Sequence, residues 1–137
     1  MIRVISAYRP VQSIGLETVY AQHARNLPPR STCDPREDSL QQLHTHIQTW
    51  MTNGEHIILC MDAHEDIWDN HIRQFHSSLG LTEAILTKHK NPPATCDKNS
   101  QLQPIDAIWV SPRLQPVASR YLPFGKRLPI RSPAHLD

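Results

Sequence analysis

The sequence predicts an α/β domain, because apolar segments rich in β-branched residues alternate with amphipathic helical segments whose ends carry start and stop signals. "IRVISAY" alternates and is β-branched, so it is a strand from Ile2 to Tyr8, closed by Pro10. Leu16, Val19, Tyr20, His23 and Leu27 recur at helical spacing and give a helix that ends before Pro28. In "DPRE", Asp34 is the N-cap, Pro35 sits at N1 and Glu37 at N3, so a second helix starts there. Leu40, Leu43, Ile47, Trp50 and Met51 line one of its faces, and Gly54 stops it in the left-handed conformation.

The run "IILCM" from Ile57 to Met61 has no helical period and reads as a strand covered on both faces. It leads directly into Asp62, His64, Glu65 and Asp66. Trp68, Ile72, Phe75 and Leu79 then mark a third helix with Asp66 as its N-cap and Gly80 as its stop. "LTEAIL" is ambiguous, and "NPPATCDKNSQLQP" reads as a polar, proline-bounded loop. "IDAIWVS" is a strand that puts Ile105, Ala107 and Trp109 on one face and Asp106, Ile108 and Val110 on the other. The proline-rich tail is expected to be irregular around at most one short strand at 117–122.

At 137 residues, with 39% hydrophobic, residues 1–137 form one domain with a real core. The net charge of +1 provides no global field for nucleic acid or membrane. The charge is polarised along the chain, however. Residues 54–83 hold Glu55, Asp62, Glu65, Asp66, Asp69 and Glu83 against Arg73, whereas 98–137 are mainly basic. Cys33, Cys60 and Cys96 are far apart and in no C-x-x-C spacing, which argues against a disulfide framework and for a reducing compartment. No signal peptide or membrane-length apolar segment is visible, so an intracellular protein, nuclear or cytoplasmic, is expected. His64, His71 and His76 do not fall on one side of a helix, as three zinc ligands there would.

Two residues point to chemistry. Asp62 stands where a strand ends, at the rim where open α/β sheets bind ligands. Asp106 sits on an apolar strand face, where a carboxylate needs a cationic or hydrogen-bonding partner. His135 in "SPAHLD" is the histidine downstream of it, and an aspartate orients an imidazole and stabilises its protonated form. Arg9, Arg113, Arg120, Lys126 and Arg127 are basic residues that serve either as phosphate contacts or as plain surface.

The order and spacing of "VISAYRP", "DPRE", "IILCMDAHED", "LGLTEAI", "PPATC", "IDAIWVSP", "YLPFG" and "SPAHLD" resemble the endonuclease/exonuclease/phosphatase superfamily, and most of all the endonuclease domains of non-LTR retrotransposons. The resemblance spans nearly the whole chain. It implies a two-sheet α/β sandwich, metal-dependent hydrolysis of phosphodiester bonds in DNA, Mg²⁺ or Mn²⁺ as cofactor, and a reverse transcriptase domain in the same polyprotein. "SAYRP" and "DPRE" favour a nuclease of this kind over a phosphatase of small molecules.

Carried over by position, Tyr8 matches a phosphate-contacting tyrosine and Asp62 the aspartate that positions water near the metal. His64 stands where the family has asparagine and is expected, two residues on in extended backbone, to project as Asp62 does. Asp106 matches the aspartate that orients the catalytic histidine, and His135 matches that histidine, preceded here by Ala134 instead of aspartate. Thr95, in the loop before the Asp106 strand, and Arg9 are substrate-binding candidates, while Glu65 and Asp66 are expected to be helix-start residues. The match begins mid-family. The resemblance therefore implies the C-terminal half of a domain truncated at its N-terminus, without the glutamate that is the principal metal ligand. It also implies an alternative: an inactive remnant that binds nucleic acid or a complementary half.

Overall fold

The computed structural model describes residues 1–13, 15–29, 32–85, 88–89, 94–98 and 101–120. In order, the elements are β1 (Ile2–Tyr8), α1 (Val19–Asn26), α2 (Pro35–Thr52), β2 (His56–Asp62), α3 (Asn70–Ser78), β3 (Thr82–Glu83), β4 (Cys96–Lys98), β5 (Gln101–Gln103) and β6 (Asp106–Val110). A four-stranded mixed sheet runs β1-β2-β6-β3, with β1 parallel to β2 and the other pairs antiparallel. The α/β class is therefore as the periodicity predicts. Among the described residues no helix is long and apolar enough to cross a membrane.

Helix α2 forms as its sequence signals demand. Asp34 accepts the Arg36 N–H at 2.8 Å, Pro35 needs no donor at N1, and Glu37 and Asp38 sit at the positive end of the helix dipole. Gly54, at φ +81°, ends it in a conformation that a side chain would strain. Its inner face places Leu40 and Ile47 against the sheet, where they join Ile57, Leu59, Met61, Ala107 and Trp109 and, from α3, Ile72 and Phe75. Fully burying each large aliphatic side chain contributes about 1.5–3 kcal/mol. Past Val110 the ladder continues through Ser111, whose Oγ accepts the buried Ile57 N–H at 2.7 Å while its own N–H donates to Ile57 O at 3.0 Å.

Several expectations are corrected. Helix α1 starts at Val19, because Thr18 Oγ1 accepts the Ala21 N–H and makes itself the cap, leaving Leu16 exposed. Helix α3 starts at Asn70 after Asp69; Asp66 instead closes a turn by accepting the Trp68 N–H at 2.9 Å. The polar segment after Ala94 is a hairpin, β4 with β5, and the ambiguous "LTEAIL" contributes the short strand β3. Residues 117–120 carry no strand, and 121–137 lie outside the described residues.

The central strand β2 is not covered on both faces. Ile57, Leu59 and Met61 are buried under the helices, but Ile58, Cys60 and Asp62 on the opposite face are only partly buried. On that face the neighbouring strands leave Ile2 56% and Val4 69% exposed, with Tyr8 and Ile108 also exposed. The sheet thus has one helix-packed face and one open, largely apolar face. Besides this sheet, the described β structure is the two-stranded hairpin.

Candidate functional site

The strand register assembles the site. Tyr8 pairs with Asp62 across β1 and β2, and Asp62 pairs with Asp106 across β2 and β6. The three residues form one row across adjacent strands and, by the two-residue pleat, share the open face. Directly opposed residues in a sheet have Cβ atoms about 4.5–5.5 Å apart, so the phenol and two carboxylates emerge as neighbours. The row lines a cavity of about 660 Å³ together with Ser6, Cys60, Thr95 and Arg120. The cavity lies over the ends of β1 and β2 and the start of β6.

His64 does not continue the extended backbone, and this corrects the expectation that it projects as Asp62 does. Its φ is +48°, and the turn folds it back on the row. Asp62 Oδ1 accepts the His64 N–H at 3.1 Å, and His64 Nδ1 lies 3.1 Å from Arg9 O and 3.2 Å from Asp62 Oδ1. Both neighbours of Nδ1 are acceptors, so Nδ1 carries the proton and, in the neutral ring, Nε2 carries the lone pair. The Tyr8 ring meets the imidazole edge-on, centroids 4.7 Å apart.

Arg9 is placed differently from a phosphate contact. Its side chain is 2% exposed, and its guanidinium is held by Glu65 and by Glu37 at 3.0 Å. Arg36 reaches from α2 to the same Glu65 and to His64 O, both at 3.3 Å. Glu65 is therefore an ion-pair partner, not a helix-start residue. The Arg9–Glu37–Glu65–Arg36 group clamps the first turn of α2 to the segment after β2 and fixes the turn that carries His64. None of this was readable from local sequence; the partners are brought together by the fold.

Thr95 acts on the other side of the row. Its Oγ1 accepts the N–H groups of Ile105 and Asp106 at 3.0 and 3.1 Å, which caps the entry to β6. Among the described basic candidates, Arg9, Arg113 and Arg120, it is Arg120 that lines the cavity, whereas His135, Lys126 and Arg127 lie outside the described residues. Ser6 and Cys60 were not singled out from sequence, although their two-residue offset from Tyr8 and Asp62 places them on the same face.

Whether the row suits a divalent cation follows from its donors. Among the described residues no group of three or more His, Cys, Asp or Glu side chains converges as a metal centre. Mg²⁺ is commonly bound through one or two carboxylates, with waters and substrate phosphate completing its octahedron. Asp62 and Asp106, opposed on neighbouring strands, are hard-oxygen donors of the type such a site uses, and substrate and water would have to complete the shell of any Mg²⁺ or Mn²⁺ held there. His71 and His76 belong elsewhere: the former pairs with Glu37 and the latter stacks on Trp109. No protein-family model, curated protein or solved structure matches this chain.

Proposed function

We propose that this chain is an endonuclease-like unit that hydrolyses phosphodiester bonds in DNA with a divalent cation. The observation that carries the reading is the row Tyr8–Asp62–Asp106 on one open face, with His64 folded against it. Bound Mg²⁺ would polarise a phosphoryl oxygen and lower the pKa of a coordinated water. Asp62 and Asp106 would hold the cation, and Asp62 would orient the attacking water. Tyr8 and Arg120, at the cavity wall, would donate to phosphate oxygens. His135, by resemblance, would pair with Asp106 and stabilise the developing charge. A reverse transcriptase domain in the same polyprotein is the partner that this reading implies.

A second reading is favoured by the open sheet face, with Ile2, Val4, Tyr8 and Ile108 exposed. On it the chain is the non-catalytic half of a two-sheet sandwich, and a complementary half would pack on that face. Nicking of supercoiled plasmid separates the two. Nicking that requires Mg²⁺ or Mn²⁺ and is lost in Asp62→Asn supports the nuclease. A folded chain that does not nick, with or without metal, overturns it in favour of the half-domain.

A further inference from the structure

β1 is an outer strand of seven residues, and nothing described in the structure hydrogen-bonds to its outer edge. The side to which each residue points follows from the strand's two ends. Met1 O accepts the His56 N–H at 2.9 Å and Arg9 N–H donates to Asp62 O at 3.0 Å, so the odd-numbered residues face β2. N–H and C=O of one residue point the same way and alternate along a strand. Ile2, Val4, Ser6 and Tyr8 therefore present their backbone donors and acceptors outward.

Natural edge strands usually carry a lysine, a proline, a bulge or a cover that blocks pairing. β1 has none of the first three: its register with β2 is unbroken, and it contains neither Pro nor Lys. Its one charge, Arg3, is already bound to Glu55 by two hydrogen bonds of 2.7 and 2.9 Å and stacked 4.4 Å over Trp50. The flanking side chains Ile2 and Val4 are more than half exposed.

We infer that β1 pairs with β1 of a second copy of this chain, antiparallel about a two-fold axis through Ile5, joining the two four-stranded sheets into one. That register is self-complementary, as a two-fold interface requires. It sets Ile2 opposite Tyr8 and Val4 opposite Ser6, so every outward-facing residue meets another and the pairs exchange both backbone bonds. Arg3 falls opposite Ala7, and no like charges meet. On the open face the pairing brings the Tyr8 ring beside Ile2, an aromatic with β-branched contact that adds about 0.2–1 kcal/mol. The two Tyr8–Asp62–Asp106 rows end up at opposite ends of the joined sheet.

Sedimentation equilibrium of the full chain over a wide concentration range tests this, with hydrogen exchange as the local readout. The expected result is a reversible dimer of twice the 15.7 kDa chain mass, with the Val4, Ser6 and Tyr8 amides protected in the dimer and fast in the monomer. Ser6→Pro removes an outward N–H and no bond to β2, so it should give a monomer of unchanged far-UV circular dichroism. The double variant Val4→Lys with Ser6→Lys, which opposes lysines across the axis, should do the same and decides the matter if the proline variant fails to fold. A chain that stays monomeric, a dimer that survives the folded variants, or open-ended larger assemblies would each overturn the pairing.

Discussion

Replacing Arg9 with methionine isolates the clamp behind the site. Methionine keeps most of the buried stem and removes the charge, so the loss is that of the ion pairs. Hydrogen bonds to charged groups contribute about 1.5–3 kcal/mol each when partners stay desolvated. Glu37 is 48% exposed and rehydrates, so its share falls to about 0–1 kcal/mol. Glu65 is 21% exposed and keeps only Arg36 at 3.3 Å, so most of its share is lost. The sum is a destabilisation of about 2–3 kcal/mol, or about 6–12 °C in Tm for a domain of this size. Urea unfolding of Arg9→Met, Glu65→Gln and the double variant measures it, and the double variant should be less destabilised than the sum of the singles by at least about 1 kcal/mol. A change below about 0.5 kcal/mol in Arg9→Met, within the range of ordinary surface substitutions, would refute the assignment of Arg9 as a buried brace.

Other outcomes follow from single contacts. Burial against Trp109, with Arg73 adding repulsion, holds the His76 imidazole below its usual pKa. The unfolded chain then binds the proton more readily, so this contribution to stability is complete above about pH 6.5 and is lost as the pH falls towards the folded-state value. Urea midpoints should drop between pH 7.5 and 5, and His76→Phe should flatten that part of the profile. Ser111→Ala leaves the buried Ile57 N–H without its acceptor and should cost about 1–3 kcal/mol by chemical denaturation. Gly54→Ala meets no steric neighbour but forces a side chain to φ +81°, and should lower stability by about 1 kcal/mol, whereas Gly54→Asn should cost less.

Local chemistry made much of the fold legible. The Asp34-Pro35 start and Gly54 stop of α2 lie within a few residues of the groups they satisfy, and so do the bounds of β1 and β2. Where two local solutions competed, sequence could not choose: Asp66 and Asp69 are both plausible caps, and Asp66 is taken by its turn with Trp68. The β4–β5 hairpin escaped because its residues are polar and lack the apolar alternation that marks a strand. Tyr8 and Asp62 were recognisable as strand-end residues and Asp106 as a carboxylate on an apolar strand face, but their alignment in one row depends on a register across three strands. Arg9 illustrates the limit best: its partners Glu37 and Glu65 lie 28 and 56 residues away, and only their meeting turns a surface-type residue into a buried one.

The most direct test of the hydrolytic account is the rate of Mg²⁺-dependent cleavage of a labelled DNA duplex by the wild-type chain and by Asp62→Asn, Asp106→Asn and Tyr8→Phe, each first shown to unfold at the wild-type midpoint. Groups that stabilise charge in the transition state typically contribute about 10²–10³ in rate, so both carboxamide variants should fall by about that factor and Tyr8→Phe by less. Cleavage that persists undiminished in folded Asp62→Asn and Asp106→Asn would contradict the account, because the row at the end of β1 and β2 would then have no part in it.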